Sequence, residues 1–342
     1  MQTAIANNLI YVSDTMPGIV RQPVENDFQY IDPKQNPIKD MRIISRINAL
    51  SIPPAYQQVW ICPLDNGHIQ ATGVDEAGRK QYRYHPDWRE YRDRQKFSQL
   101  VDFAHGLPKL RRDIRRIFRA ANPDQTIGKE LACAALVRLL DNVPLRIGNK
   151  QNDKARGATT LVAKNIRMNE NELRLDYIAK GGKRVRRQIK DRRLLQILSS
   201  IDDLPGKALF QYFGRDGEIY PLDSGDVNQW LKDQSGNADI SAKVFRTWHG
   251  SVAAFRYVRL AKNPTIKAAC EKAADRLKNT PAICRSSYIH PAIIALTRKS
   301  QSEREALAKL SGPSTSDLRK DEKILLRFLE ETDWPQETSC SR

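Results

Sequence analysis

The sequence of 342 residues has few of the residues that build several common kinds of site. Its five cysteines never form a CxxC pair, which argues against a zinc site or a disulfide scaffold and favours a reducing compartment. There are five histidines, no HExxH motif and no acidic cluster of the kind that holds two magnesium ions. A GxxxxGK[ST] phosphate loop and a GxGxxG turn are also missing. The sequence therefore predicts neither metal-assisted hydrolysis nor a P-loop ATPase.

Long apolar segments are missing as well. The longest uncharged apolar run covers about seven residues, 131–137, whereas a membrane-spanning helix needs roughly 18. The first residues have neither the basic region nor the apolar region of a signal peptide. We therefore expect a soluble, cytoplasmic protein with no membrane partner.

Positive charge, by contrast, is abundant. Lys and Arg number 57 against 40 Asp and Glu, a formal net charge of +17. One basic segment spans residues 109–119, and a second, 180–193, holds eight cationic residues and a single Asp. A charge run is usually a solvated face, but two such segments with this net charge favour contact with phosphates of a nucleic acid. The cations of the first segment are Lys109, Arg111, Arg112, Arg115, Arg116 and Arg119.

The distribution of patterns along the chain predicts an α+β protein with two domains. Residues 1–90 are mostly β, with strand-like segments at 57–62, 68–73 and 79–84 that are separated by turn signals. In the last segment, alternation places Lys80, Tyr82 and Tyr84 on one face, a pattern that suits a nucleic-acid groove and equally an exposed sheet face. From Trp88 onward the spacing is helical, so we place the boundary between a β-rich DNA-binding domain and a larger, mainly α domain near residue 90.

The second domain, 91–342, is expected to hold a small three-stranded sheet among helices. A core helix is predicted over 127–145, strands over 159–168, 172–179 and 183–190, and then helices. These helices cover 192–201, 226–234, 243–261 and 265–278, and Thr280-Pro281 starts another. A charged tail, 302–342, follows; it is predicted to be helical to about residue 332 and frayed beyond it.

Six short segments then resemble one family, in that family's order and spacing. The chain resembles the type IB DNA topoisomerases, specifically the compact bacterial and poxvirus-type enzymes, from about residue 25 to about residue 300. The segments are 73–84 (GVDEAGRKQYRY), 145–149 (LRIGN), 159–161 (TTL), 178–182 (IAKGG), 243–248 (KVFRTW) and 279–289 (NTPAICRSSYI). The catalytic fold that this implies is the one shared by type IB topoisomerases and tyrosine recombinases.

The resemblance implies a mechanism and assigns residues to it. Tyr288 stands at the position of the nucleophile, which forms a 3′-phosphotyrosyl bond and releases a 5′-hydroxyl strand. Arg146 and Arg246 match the two family arginines, whose planar forks suit bidentate phosphate contact. Lys180 matches the general acid that protonates the leaving 5′-oxygen. Because the ester retains the bond energy, neither ATP nor a required metal ion is implied, and divalent metal would at most stimulate.

Two positions depart from the poxvirus pattern. Asn279 replaces a His; its amide can still donate a hydrogen bond to a phosphate oxygen, but it carries no charge. Asn152 stands where those enzymes place a DNA-contacting Tyr. The resemblance also implies DNA contacts from the first domain, through Gln81 to a base and through Tyr82 and Tyr84 to the backbone. Arg79 and Lys80 belong to the same candidate DNA-binding segment.

The implied protein is a monomeric, nucleoid-associated enzyme that clamps supercoiled double-stranded DNA and relaxes positive and negative supercoils. One alternative is a tyrosine recombinase, although Lys243 replaces the His of the HxxR motif usual in those enzymes. The other alternative is a non-catalytic DNA-binding protein. His249, close to Arg246, is interpreted as a structural hydrogen-bonding residue rather than a base.

Overall fold

A computed structural model of the chain describes residues 4–5, 9–25, 27–121, 126–148, 155–307 and 316–332. The chain divides into two compact units, Met1–Lys96 and Phe97–Arg342. The division lies within one long helix, which also contains the predicted boundary near residue 90. In the described ranges the first unit is rich in β-structure and the second is mainly helical with a three-stranded sheet, so the fold class is α+β, as predicted.

The first unit is built on an antiparallel sheet of five strands. The elements in chain order are β1 (Ala4–Ile5), β2 (Leu9–Ile10), β3 (Ile19–Val24), β4 (Asp27–Ile31), α1 (Met41–Ala49), β5 (Gln57–Ile61), β6 (Ile69–Val74) and β7 (Lys80–Tyr84). The strands of the sheet have the order β4-β3-β5-β6-β7. The two strands β3 and β4 were not predicted from the sequence, because they are short and β3 contains a proline.

Helix α1 covers one face of this sheet. It begins at Asp40, whose carboxylate accepts a hydrogen bond from the backbone N–H of Arg42 at 2.8 Å. Ile47 from the helix packs with apolar side chains from three strands, namely Ile19, Val59, Ile61 and Ala71. Because strand residues alternate between faces, the edge strand β7 presents the side chains of Lys80 and Tyr82 on the uncovered face.

The second unit contains most of the helices. The elements from residue 86 onward are α2 (Pro86–Ala120), α3 (Lys129–Asn142), β8 (Ile166–Met168), β9 (Leu173–Ala179), β10 (Lys183–Ile189), α4 (Arg192–Asp202), β11 (Gln211–Phe213), β12 (Ile219–Pro221), α5 (Ser224–Ser235), α6 (Lys243–Leu260), α7 (Ile266–Leu277), α8 (Pro281–Ser287), α9 (Pro291–Leu296), α10 (Gln301–Ala306) and α11 (Lys320–Glu331). The predicted frayed segment, 333–342, lies outside the described residues.

The three-stranded sheet has the antiparallel order β10-β9-β8. Strict alternation along β9 buries Leu173, Leu175, Tyr177 and Ala179 against the helices and leaves the intervening side chains outside. The prediction of a strand over 159–168 was wrong for its first part, where residues 158–160 and 163–165 form 3₁₀ turns. The side chains of Thr160 and Asn165 bond to backbone N–H groups there, at 2.8 and 3.1 Å, and these local bonds compete with strand pairing.

Helix α6 runs through the centre of the second unit. It packs against α7, α9, α10 and α11, and its large side chains Phe245, Trp248 and Phe255 are fully buried. Burial on nearly all sides explains why its sequence has no broad polar face. The same burial surrounds Arg246 on its first turn, so a charged side chain is held inside the protein.

No helix in the described ranges combines the length and the apolar character that a membrane crossing requires. The four cysteines within those ranges are buried and free, and Cys340 lies outside them.

Candidate active site

Arg246 is the most constrained of the predicted site residues. Its guanidinium is buried, and it donates hydrogen bonds to the carbonyl oxygens of Pro144 and, at 3.1 Å, Leu277. Burial lowers the pKa of Arg246, but the arginine pKa is so high that the group stays charged at neutral pH. Among the described residues no carboxylate pairs with it and its Nε has no hydrogen-bond partner. A buried cation with an unused donor can accommodate an anion, so Arg246 is a candidate phosphate-binding residue.

Tyr288 lies directly against that cation. It follows the short helix α8, and its backbone N–H donates to the carbonyl of Cys284 at 3.0 Å. The Arg246 guanidinium carbon is 5.1 Å from the centre of the Tyr288 ring. Helix α6 approaches the tyrosine closely at Gly250, where a Cβ atom would lie 2.8 Å from the Tyr288 carbonyl oxygen. Glycine is therefore required at this position for α6 to support Tyr288.

The electrostatic surroundings of Tyr288 favour its ionised form. Burial raises the pKa of the phenol, but the positive charges of Arg246, Arg146 and Lys243 outweigh burial and hold the pKa below the ordinary value of 10. A second buried tyrosine near the site, Tyr177, has the opposite balance, and burial raises its pKa to about 12. Of the two, Tyr288 is the better candidate nucleophile.

Arg146 lies in the segment that joins α3 to the 3₁₀ turns. Its backbone carbonyl accepts a hydrogen bond from the N–H of Ala158 at 2.8 Å, and the next carbonyl, of Ile147, accepts from the N–H of Thr159 at 2.7 Å. The two chain segments approach so closely that a Cβ atom on Gly157 would lie 2.5 Å from the backbone nitrogen of Gly148. These contacts fix the backbone of Arg146. No carboxylate in the described ranges pairs with its side chain.

Asn279 is placed at the end of α7 with one side-chain donor unused. Its amide oxygen accepts from the backbone N–H of Thr280 at 3.0 Å, while its Nδ2 is buried and has no partner among the described residues. It follows two residues after Leu277, whose carbonyl holds Arg246. Asn279 and Arg246 therefore contribute two of the four unpartnered buried side-chain donors in the described ranges.

Arg146, Arg246 and the inner face of the three-stranded sheet meet at one small cleft. Tyr177 and Ala179 of β9 line it, together with Arg276 near the end of α7. Lys180 is the next residue after Ala179, in the exposed turn between β9 and β10, and within the described ranges its side chain has no hydrogen bond or ion pair. The structure thus brings Arg146, Arg246 and Tyr288 together and places Lys180 at the end of the strand that lines their cleft.

Arg276 was missed in the sequence analysis. It donates to the carbonyl of Asn142 at 3.0 Å and contacts His249 Nδ1 at 3.2 Å, while His249 Nε2 contacts the carbonyl of Asp141 at 3.0 Å. Both histidine nitrogens are used in structural contacts, in agreement with the prediction for His249. Nothing in the local sequence marks Arg276, because its partners are a backbone carbonyl and a distant side chain.

The outer face of the three-stranded sheet forms a second feature of this unit. We call it the outer sheet face; it is concave, and the residues that line it include five cationic side chains and one acidic side chain that point away from the helices. Asp176 accepts from Arg184 at 2.7 and 2.8 Å and lies 3.3 Å from Arg186. The five cationic residues are Lys164, Arg167, Arg174, Arg184 and Arg186.

In the first unit, the candidate DNA-binding residues divide between the two faces of β7. Tyr82 and Tyr84 stack with ring centres 5.8 Å apart, and the Lys80 ammonium lies 5.7 Å from the Tyr82 ring, so the predicted shared face is present. Gln81 points to the opposite face, since neighbouring strand residues alternate.

Acidic side chains hold three of these polar residues. The Gln81 amide donates to Asp75 at 3.0 Å, and Arg79 pairs with the same carboxylate at 2.7 Å. Lys80 pairs with Asp14. Tyr82 is therefore the exposed aromatic side chain of this strand and Tyr84, stacked on it, is half-buried, while the side chain of Gln81 is bound to Asp75.

Two asparagines named in the sequence analysis, Asn149 and Asn152, lie outside the described ranges. Within those ranges no three His, Cys, Asp or Glu side chains gather in an arrangement that could hold a metal ion.

Comparison with known proteins gives a consistent result for both units. Residues 27–75 match the family model of the bacterial DNA topoisomerase IB N-terminal domain, and residues 85–308 match that of the eukaryotic DNA topoisomerase I catalytic core. The chain is also 28% identical over 292 residues to the DNA topoisomerase 1B of Acanthamoeba polyphaga mimivirus, an alignment that covers 80% of this chain and 85% of the viral protein.

Proposed function

Because the chain belongs to the type IB DNA topoisomerases and is an enzyme that acts on DNA, we propose that it relaxes positive and negative supercoils through a transient 3′-phosphotyrosyl intermediate. The reaction cuts one strand, lets the duplex swivel and reseals the strand. It requires neither ATP nor a metal ion, since the phosphotyrosyl ester keeps the energy of the broken phosphodiester.

One observation carries this proposal. Arg246 is a buried cation that has no carboxylate partner in the described ranges, and it lies 5.1 Å from the ring of a tyrosine whose pKa is lowered. Such a pair suits a reaction in which a phenolic oxygen attacks an anionic phosphorus centre. Arg304 is also buried without a carboxylate partner in the described ranges, but its Nε donates to the carbonyl of Lys299 at 3.2 Å, whereas the Nε of Arg246 has no partner among the described residues and remains available to a phosphate.

Tyr288 performs the bond exchange. Its phenolic oxygen attacks the phosphorus, the bond between phosphorus and the 5′-oxygen breaks, and the phenol proton is released to solvent. The product is a tyrosine ester of the 3′-phosphate and a free 5′-hydroxyl strand. Religation is the reverse: the 5′-hydroxyl oxygen attacks, and the tyrosine leaves.

Arg146, Arg246 and Asn279 stabilise the phosphate during both steps. Charge develops on the non-bridging oxygens in the transition state, so fixed donors in a water-poor site lower the barrier. The two guanidinium groups supply charge, and the unpartnered Nδ2 of Asn279 supplies a neutral donor. Because the carbonyls of Pro144 and Leu277 already hold the Arg246 guanidinium before DNA binds, this group needs little reorganisation.

Lys180 donates the proton that the 5′-oxygen needs as it leaves. Its place in an exposed turn at the end of β9 allows the flexible side chain to reach a groove of the duplex. Tyr82, Tyr84 and Lys80 of the first unit, and the outer sheet face of the second, supply backbone contacts. We propose that the enzyme clamps supercoiled duplex DNA as a monomer.

The proposal is tested by relaxation of positively and negatively supercoiled plasmids with EDTA present and ATP absent. We expect both to be relaxed by the wild-type protein and neither by Tyr288→Phe, which lacks only the attacking oxygen and should still bind DNA. Tyr177→Phe should still form the covalent adduct on a suicide duplex, because Tyr177 is not the nucleophile. DNA binding without relaxation by the wild-type protein would favour a recombinase or a non-catalytic binding protein.

The role of Lys180 is tested with a modified leaving group. Lys180→Ala should slow cleavage, and a duplex with a 5′-bridging phosphorothiolate should restore the rate, because the sulfur leaves without protonation. Lys183→Ala, on the other side of the same turn, serves as the matched control and should gain nothing specific from the sulfur. An equally slow Lys180→Ala reaction on both substrates would exclude Lys180 as the acid.

A further inference from the structure

The C-terminal helix α11 lies beyond the residues matched by the catalytic-core family, which end at 308. It nevertheless sends a charged side chain into the centre of the second unit. Glu322, on its first turn, is 2% exposed and accepts hydrogen bonds from Arg111 at 2.8 and 2.9 Å. A carboxylate is rarely buried to this extent unless it is paired, and Glu322 is paired with Arg111.

Arg111 connects Glu322 to a second buried carboxylate. Its Nε and Nη2 donate to the two oxygens of Asp141 at 2.9 and 2.7 Å, so one guanidinium bridges both acids. Burial raises the pKa of each carboxyl group, but the bridging arginine outweighs burial and holds both pKa values below their usual range. Arg319 adds a hydrogen bond to Glu322 at 3.0 Å and one to the carbonyl of Asp141 at 3.3 Å.

Asp141 lies near the end of α3, at the start of the segment that carries Arg146. Three carbonyl groups in this segment accept hydrogen bonds from helices α6 and α7. The carbonyl of Asp141 contacts His249, that of Asn142 accepts from Arg276, and that of Pro144 accepts from Arg246. The segment is thus held along its length, and Asp141 is the point at which the buried ion pairs join it.

His249, which contacts the carbonyl of Asp141, keeps the same protonation state at physiological pH. Burial lowers its pKa to about 3, so the ring is neutral at physiological pH. Arg276 donates to Nδ1, which leaves the proton on Nε2 to be donated to the Asp141 carbonyl. In this contact His249 is therefore the donor and the Asp141 carbonyl is the acceptor.

We propose that α11 is a positioning element of the active site, in which Glu322, through Arg111 and Asp141, fixes the segment that carries Arg146. The inference rests on the proposed function only in giving Arg146 the role of phosphate contact. Glu322 touches neither DNA nor the reacting atoms in this proposal, so it is a positioning residue.

The test uses Glu322→Gln with Asp321→Asn as its matched control. Asp321 is the neighbouring acid on the same turn of α11, and it pairs with Arg259 of α6 at 2.7 Å, away from Asp141. We expect Glu322→Gln to slow single-turnover cleavage of a suicide duplex about 10- to 100-fold. Binding of the uncleaved duplex, measured in the Tyr288→Phe background, should not change. Asp321→Asn should cleave at the wild-type rate.

A double-mutant comparison separates positioning from loss of stability. If Glu322 acts through Arg146, Glu322→Gln should slow cleavage no further once Arg146 has been replaced by Ala. The inference would be overturned if the rate losses of Glu322→Gln and Arg146→Ala multiplied in the double variant. It would also be overturned if Glu322→Gln and Asp321→Asn slowed cleavage equally, or if Glu322→Gln left the cleavage rate unchanged. If Glu322→Gln does not fold, Arg319→Gln removes only the partly exposed donor and should give a smaller effect of the same pattern.

Amide hydrogen exchange of residues 143–148 provides a readout that does not require activity. Glu322→Gln should accelerate exchange in this segment and Asp321→Asn should not. Unchanged exchange in Glu322→Gln would overturn the inference even if cleavage were slower. A wild-type protein that forms no adduct would contradict the proposed function, whereas the exchange result would still decide whether α11 orders the Arg146 segment.

Discussion

Two regions of the second unit are both rich in positive charge, but their acidic partners differ. The first is the basic segment of α2, residues 109–119, and the second is the outer sheet face. In α2, four carboxylates neutralise five of the six cations: Asp113 pairs with Lys109 and Arg116, Asp317 with Arg112 and Arg115, and Asp141 and Glu322 share Arg111.

The outer sheet face has much less compensating charge. Asp176 is the single acid among the residues that line it, and Arg167 has no carboxylate partner in the described ranges. Glu172 pairs with Arg174 from the edge of the sheet. The excess of positive charge therefore remains on the surface here, where the phosphates of DNA can replace counterions.

The difference shows that the role of a basic segment can be inferred only when the acidic side chains that pair with it are known. The acids that neutralise α2 lie close by, as Asp113 does, or as much as two hundred residues away, as Asp317 and Glu322 do. Charge counted along the sequence treats segments 109–119 and 180–193 as candidates for phosphate contact. The structure gives Arg111 an internal role and leaves less compensating acid on the outer sheet face, which supports the proposal that this face contacts phosphates.

Replacement of Arg111 should produce the largest effect. Arg111→Ala leaves Asp141 and Glu322 buried without their shared partner, and loss of one member of a buried ion pair costs about 3–5 kcal/mol of unfolding free energy. Arg112→Ala, a neighbour whose side chain is exposed, should cost less than about 1 kcal/mol. Urea denaturation measures both. Equal losses of unfolding free energy in the two variants would contradict the internal role given to Arg111, because buried and exposed arginines of the segment would then contribute alike.

Much of the candidate site could be predicted from the sequence, because its residues lie in short segments whose order and spacing resemble those of one family. Arg146, Arg246 and Tyr288 are brought together as expected, and β9 and β10 were predicted to within one or two residues. The failures have physical causes. The strand predicted over 159–168 was wrong for residues 159–165, because local side-chain bonds favour turns there. Arg276 was missed because its partners are distant in sequence.

Removal of charge from the two regions should separate them in DNA binding. The triple variant Arg167→Gln, Arg174→Gln and Arg186→Gln should bind a duplex about 10- to 100-fold more weakly. The slope of log affinity against log salt should become shallower by about 2–3, since each phosphate contact contributes about 0.9. The matched triple variant of α2, Arg112→Gln, Arg115→Gln and Arg116→Gln, should keep the wild-type slope. A shallower slope for the α2 variant alone would mean that α2, and not the outer sheet face, contacts the phosphates.

Asp176→Asn should produce the smallest effect, in the opposite direction. Asp176 occupies donors of Arg184 and Arg186, which a phosphate would otherwise accept from. Without its charge, DNA affinity should rise a few-fold and the salt slope should steepen by up to about 1. Asp113→Asn on α2 is the control and should leave affinity unchanged. Weaker binding by Asp176→Asn would mean that the carboxylate orients the guanidinium groups of Arg184 and Arg186 for phosphate. The orientation of these side chains, rather than net charge, would then govern DNA binding on this face.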